Sequence, residues 1–432
     1  MRTRWKSRLL WLAANVARLV VVVTFTFSGA VKLNDPLGTA YKLQDYAQAF
    51  GLQALMQGVT PVVLSVVLAM LEFSVGIYLL FGIRRRRTSI LALAFMLAFT
   101  PLTLYLAVAN PVRDCGCFGD ALVLTNWQTF WKNVVLLAAA ILLVCKTRLM
   151  TRLITERHQW TVSLCTWAFS LIFAGMSLYG LPPIDFLPYR IGVNLREKLA
   201  ERDAAQGQTK TYFIMEKNGE RREFATEDYP DSTWTYIDTR VEGTQSSAES
   251  PYADFCMQTA DGEDLTGEVM QDTSYVFLLL SPYLEQADDG VLDIITSAYD
   301  YAQEHGYRFY CLTSSGRETI ATWQEMTGAE YPFLFTDGIV LKTMIRSNPG
   351  LMLLHDGRIT GKWPSTGMPD LTEEVRPLEQ TEWGALEGPS RMERLLTILF
   401  RYVLPLLACT LADRLWVAWK LRKRHKPNTN SK

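Results

Sequence analysis

Six long apolar blocks, spaced so that every basic cluster falls on the same parity, constrain this chain more than any other feature. The blocks run from about Leu9 to Leu33, Pro61 to Ile83, Thr88 to Ala109, Trp127 to Cys145, Trp160 to Leu181 and Leu395 to Trp419. As helices, all are long enough to cross a bilayer. A segment in lipid must satisfy its own backbone polar groups, so helix is the expected form. Arg2 to Arg8 precede the first block, Arg84–Arg87 join the second and third, Lys146 to Arg157 join the fourth and fifth, and Lys420 to Arg424 follow the sixth. Lys and Arg beside a span stay cytoplasmic, and six spans bring all four clusters to one side. The expectation is a multi-pass inner-membrane protein with both termini cytoplasmic and segments 34–60, 110–126 and 182–394 outside. The first block exceeds a signal-peptide core, and Ser28-Gly29-Ala30 is a weak cleavage site, so it is expected to be retained.

The net charge of −1 gives no global field for nucleic acid, and the partner the composition implies is the lipid bilayer. Seven cysteines leave at least one unpaired within the chain. Residues 182–394 read as soluble sequence in parts. Segment 182–265 carries strand-like pieces, with Lys217-Asn218-Gly219-Glu220 as a hairpin turn and Gly243 to Ser250 as a loop. Segment 266–364 alternates strand and helix: Tyr275 to Leu280, a helical face from Val291 to Ala302, Tyr307 to Thr313, Glu318 to Met326, Ile339 to Ile345, then Leu351 to Leu354 and Arg358 to Trp363. That order predicts an α/β sandwich. Residues 365–394, with several Pro, Gly and Glu, read as a linker.

Chemistry concentrates at Asp114-Cys115-Gly116-Cys117-Phe118-Gly119-Asp120, between the third and fourth blocks. Gly116 can take the backbone angles that fold the two cysteines together. An exposed pair on the outer side, with Arg113 close by, is expected to be redox-active. A loop staple and bonding elsewhere remain alternatives. One Cys-x-Cys without further Cys or His is a poor zinc set, so no metal is expected.

Two charges fall inside spans, Arg18 and Glu72. Counting inward from Leu9 and Ile83 puts them at similar depth on antiparallel helices, so they are expected to pair, as a structural ion pair or as part of a proton path. Lys32 ends the first span at its outer side and is expected to snorkel, with depression of a thiol pKa as the alternative. Cys145, Cys165, Cys311 and Cys409 read as packing residues. Neither a Cys256–Cys311 bridge nor a resolving role for Cys256 is favoured.

These residues carry a resemblance. Phe27-Ser28-Gly29-Ala30-Val31-Lys32-Leu33-Asn34-Asp35-Pro36, Glu72 with Gly76, and Cys115-Gly116-Cys117-Phe118-Gly119 resemble the DoxX-like/MauE family of four-helix membrane proteins, over about residues 10–145. The expected bundle is a four-helix domain at 9–147, a fifth span at 160–181 and a last at 395–419. The resemblance implies disulfide maturation in the periplasm or quinone-linked sulfur oxidation, with a quinone as the cofactor of the second branch. The layout of five spans, an outer domain and a final span looks like the larger DoxX-like proteins of Bacteroides-type bacteria. Segment 266–364 is similar to a thioredoxin-like domain of the TlpA kind, with Pro349 at the family's cis-proline position. It departs where the family places Cys-x-x-Cys: after Tyr275–Leu280 come Ser281-Pro282-Tyr283-Leu284-Glu285-Gln286, without cysteine.

Two functions follow as expectations. One is a membrane thiol–disulfide oxidoreductase, or an accessory to one, acting through Cys115 and Cys117 on a periplasmic thiol or disulfide protein. The other is a non-enzymatic envelope scaffold with a redox-inactive thioredoxin-like module. A transporter is disfavoured, because two buried charges offer little pathway.

Overall fold

The computed structural model describes residues 2–111, 115–207, 210–217, 220–225, 235–242, 250–385 and 390–424. Arg113, Asp114, the Asn218-Gly219 turn and residues 243–249 lie outside them. The chain divides into two compact units, one of Met1–Phe186 with Pro389–Lys432 and one of Leu187–Gly388.

The first unit is a bundle of helices. Helix α1 spans Arg2–Asn34, α2 Pro36–Ala49, α3 Thr60–Phe81, α4 Arg85–Ala109, α5 Asn126–Cys145 and α6 Gln159–Tyr179. Among the described residues, six helices are long and apolar enough to cross a membrane, these without α2 and with one at Arg391–Leu421. Their exposed faces carry rows of Leu, Val, Ile and Trp, as lipid-facing surfaces require. The chain is a multi-pass membrane protein.

Local sequence sets the helix ends. Asp35 caps α2 by accepting from the Gly38 N–H at 2.8 Å, with Pro36 in the first turn. Gly82, at φ +70°, ends α3. Thr125 and Gln128 form a capping box on α5.

The tightest crossing is α1 on α3. A Cβ on Gly29 would lie 2.4 Å from the Phe73 nitrogen, and one on Gly76 would lie 2.3 Å from Thr26 Oγ1. Two glycines therefore let the helices touch backbone to backbone, the usual device in membranes. Around this contact Val21, Val22 and Phe25 of α1 pack with Val75, Leu79, Ala92, Met96, Leu136 and Ala140.

The first helix of the second unit is α7, Leu195–Gly207, which the strand-like pieces and loop read in 182–265 do not include. Strands β1 (Lys210–Lys217), β2 (Glu220–Ala225) and β3 (Thr235–Glu242) follow as an antiparallel sheet ordered β2-β1-β3. Then come α8 (Thr266–Gln271), β4 (Tyr275–Ser281), α9 (Leu292–Glu304), β5 (Arg308–Thr313), α10 (Arg317–Thr327), β6 (Phe333–Phe335), α11 (Gly338–Met344), β7 (Gly350–His355) and β8 (Arg358–Pro364). The second sheet is ordered β6-β5-β4-β7-β8. Strand β5 runs parallel to β4 and β6, and β7 runs antiparallel to β4 and β8.

Every residue of β4 is buried, the mark of a central strand covered on both faces. One face packs on Ile295, Ala298, Tyr301 and Ala302 of α9. A central strand with a parallel neighbour on one side and an antiparallel hairpin on the other is the thioredoxin-like arrangement. The Asn348–Pro349 peptide before β7 is cis.

The expected linker needs correction. Leu371 and Leu378 are buried in this core and Trp383 packs against it. Residues 365–385 are thus held by apolar anchors despite their polar composition. Helix α12, Arg391–Arg424, belongs to the bundle. Its Asp413 accepts from Thr155 N at 3.1 Å and Thr155 Oγ1 at 2.5 Å, and lies 2.6 Å from His158 Nδ1.

Candidate functional site

The Cys-Gly-Cys loop joins α4 to α5, at the end of the bundle opposite Arg84–Arg87. Gly116 (φ +60°) and Gly119 (φ +51°) sit in left-handed conformations that side chains rarely adopt. The Gly119 N–H donates to the Gly116 carbonyl at 3.1 Å and closes a turn. This turn brings the Cys115 and Cys117 sulfurs to 2.8 Å, both as free thiols.

The pair is less exposed than its loop position suggests. Cys115 is 8% exposed and Cys117 half-buried. The amphipathic helix α2 explains the difference. Its Tyr46 hydroxyl donates to the Cys115 carbonyl at 2.5 Å. Its Lys42 stem lies 3.1 Å from where a Gly116 Cβ would be. Phe118 is buried against Phe27 of α1, with Lys132 Nζ 4.2 Å from its ring centroid.

Beneath the loop lies a buried charge pair, and it is not the expected one. Lys32 Nζ contacts both Glu72 oxygens, at 2.6 and 2.7 Å. Lys32 is 7% exposed and turned inward, so it does not snorkel. Arg18 lies elsewhere. Its guanidinium donates to the Leu79 and Leu80 carbonyls, at 2.7 and 2.6 Å, and to Thr151. It caps the Leu80 carbonyl at the end of α3 and adds a second donor to the Leu79 carbonyl, which also accepts from the Gly82 N–H.

The register explains the correction. Gly29 faces Phe73 and Thr26 faces Gly76, so Ala30 is level with Glu72. Arg18 is twelve residues from Ala30, about 18 Å along the axis at ~1.5 Å per residue.

Ser28 links the charge pair to the loop. Its hydroxyl lies 2.7 Å from Glu72 Oε2, 2.7 Å from the Cys117 carbonyl oxygen and 3.1 Å from Lys32 Nζ. Its single proton donates to one of the two oxygens, and Lys32 donates to it. Sequence reasoning assigned no role to Ser28, Tyr46 or Lys132. The available signal was the i, i+4 spacing of Ser28 and Lys32 within an apolar span.

A cavity of about 40 Å³ lies between the loop and the bundle, lined among others by Ser28, Lys32, Glu72, Cys117, Lys132 and Asn133. It has room for a few water molecules. Small-molecule pockets occupy ~300–1,000 Å³, so this cavity is well below their usual size.

The two thiols are electrostatically unequal. The hydrogen bond from Cys115 holds Cys117 down, to about 6, against the effect of burial and with help from Lys132 and Lys32. The same hydrogen bond, followed by burial, pushes Cys115 well above the usual thiol range. Cys117 is thus the more acidic thiol of the pair, and Cys115 the one that keeps its proton to higher pH.

The other cysteines do not join them. Cys311 is fully buried in β5 and Cys256 is half-buried, both as free thiols. No group of three His, Cys, Asp or Glu among the described residues could hold a metal.

In the α/β unit, the segment after β4 is bound tightly without thiols. Ser281 Oγ donates to Asn348 Oδ1 at 2.7 Å, and Asn348 Nδ2 donates to the Tyr283 carbonyl at 2.8 Å. Ser314 Oγ donates to the Pro282 carbonyl at 2.5 Å, and the Leu284 N–H donates to Ser315 Oγ at 2.9 Å.

Residues 9–146 match the family described as Methylamine utilisation protein MauE. Residues 209–242 match a domain of unknown function (DUF8463). No curated protein matches the chain significantly. Among solved structures, the chain is similar to the solution structure of a candidate protein disulfide isomerase from Bacteroides thetaiotaomicron. That similarity has 14% identity and a TM-score of 0.23, covering 26% of this chain and 76% of that one.

Proposed function

We propose that this protein is a membrane thiol–disulfide exchange protein, or a disulfide-maturation accessory, working through Cys117 and Cys115. One observation carries the reading: two cysteine sulfurs 2.8 Å apart, free of any disulfide, packed over a buried lysine–glutamate pair. The match of residues 9–146 to a membrane family named for methylamine utilisation supports the bundle as a setting for such chemistry. Methylamine itself finds no support in this chain. The loop faces the periplasm and the Arg84–Arg87 end the cytoplasm, as the positive-inside parity implies.

In the exchange, Cys117 Sγ attacks one sulfur of a partner disulfide. A mixed disulfide forms and one partner thiolate leaves. Cys115 gives up its proton to that thiolate or to cavity water and attacks Cys117 Sγ, releasing the second partner thiolate. The partner gains two electrons and the loop becomes a Cys115–Cys117 disulfide. A second protein dithiol reverses these steps and restores the loop. The small cavity favours a protein thiol over a quinone as this second couple.

Trapping tests the proposal. In a Cys115→Ser chain expressed in cells, Cys117 has no resolving thiol, so a mixed disulfide that dithiothreitol releases is expected at Cys117. If Cys115→Ser and wild type give identical non-reducing patterns, and both thiols stay free in intact cells, the exchange role is excluded.

A second reading rests on the α/β unit. Its hydrogen-bonded, thiol-free segment 281–286 favours a docking module that presents a partner and performs no exchange of its own.

A further inference from the structure

At the end of the bundle opposite the thiols, Arg84, Arg85, Arg86, Arg87, Thr147, Arg148 and Arg152 line a cavity of about 330 Å³. Six arginines, four from the α3–α4 turn and two from the segment after α5, line this one space. Glu156 is engaged by Arg152, so it neutralises one of them at most. The geometry is built. Arg84 sits in the left-handed region (φ +38°) between two helices, its N–H bonded to Gln159 Oε1 at 3.3 Å. Arg85 reaches the Met150 carbonyl and joins the two segments.

A solvated run of arginines would spread its like charges apart. Here the fold sets Arg148 and Arg152 across one cavity from the run Arg84–Arg87, at the amino end of a 25-residue helix whose first N–H groups add positive potential. Such an arrangement is stabilised by a multivalent oxyanion, and guanidinium forks match phosphate oxygens in pairs.

We propose that this cavity is a phosphate-binding site. At the level where a basic bundle end meets the membrane surface, its occupant is the headgroup of an anionic phospholipid, held between helices. The cavity volume suits one or two phosphate groups with their glycerol link, and Thr147 adds a neutral donor at its edge.

Native mass spectrometry of the full chain in detergent tests the site, with added cardiolipin, phosphatidylglycerol, phosphatidylcholine or inorganic pyrophosphate. The expected result is retention of an anionic lipid at least about tenfold above phosphatidylcholine, reduced about tenfold in Arg148→Gln/Arg152→Gln. A matched loss of charge at Arg8 and Lys420, outside the cavity, should leave retention unchanged. Should Arg148→Gln/Arg152→Gln fail to fold, wild type still decides by whether thermal stability rises with anionic and not neutral lipid. Retention of pyrophosphate without preference for anionic lipid would assign the phosphate site to a soluble ligand and overturn the lipid assignment. Equal binding of anionic and neutral lipid with no pyrophosphate binding, or equal loss in both double variants, would overturn the site.

Discussion

The Cys-Gly-Cys loop of the bundle and the segment after β4 of the α/β unit are built alike and equipped oppositely. Each is a short non-regular stretch fixed by side-chain hydrogen bonds to its carbonyls. Ser28 and Tyr46 hold the carbonyls of Cys117 and Cys115. Asn348 and Ser314 hold those of Tyr283 and Pro282. The bundle loop keeps two thiols and a cluster of lysines, while the α/β segment keeps neither thiol. The α/β topology is therefore no guide to where thiols are found in this chain, and function is better argued from the site than from the fold.

The largest expected effect that sharpens this contrast is at the buried pair. Glu72→Leu leaves Lys32 charged and unpaired, and should cost about 3–5 kcal/mol in bundle stability. Lys32→Met/Glu72→Leu together should recover most of it, as read by thermal unfolding in detergent. If the single variant is neutral, the loop does not rest on this pair.

Asn348→Ala is the matching test in the α/β unit. It should cost about 1–3 kcal/mol by leaving buried partners unsatisfied, while alkylation of Cys117 stays at the wild-type rate. A change in Cys117 reactivity would break the separation of roles.

Lys132→Gln should act first on reactivity, with a stability cost of at most about 1.4 kcal/mol per unit rise of the Cys117 pKa, confined to pH above 6. Without that charge the Cys117 pKa rises, and the thiolate fraction near pH 6 falls by up to about tenfold. Thiol labelling at fixed pH reads it. The linkage has a sign as well. A thiol whose pKa is depressed from its ordinary 9 to about 6 contributes stability that is complete above pH 9 and lost as pH falls through 6. Cys117→Ser should abolish that pH dependence.

Much of this fold was legible in the sequence because its signals are local. Span length and basic flanks predict six membrane helices, and the apolar run Tyr275–Leu280 predicts a buried strand. What could not be read there depends on contacts between elements. Pairing Arg18 with Glu72 failed because the α1–α3 register is set by Gly29 and Gly76 meeting the facing backbone, which counting from block ends does not register. Lys32 turns inward because Glu72 and Ser28 wait for it. The thiols are shielded because α2, recognisable only as amphipathic, lays Tyr46 over them. The stretch 365–385 read as linker because three apolar anchors, Leu371, Leu378 and Trp383, are diluted among polar residues.

Alkylation of the purified full chain across pH 4–9, with each modified cysteine identified by mass spectrometry, reaches the centre of this account. Cys117 should react first, with its rate half-maximal near pH 6, and Cys115 only after Cys117 is blocked. Reaction at Cys115 first, or at both cysteines only above pH 8, would contradict it.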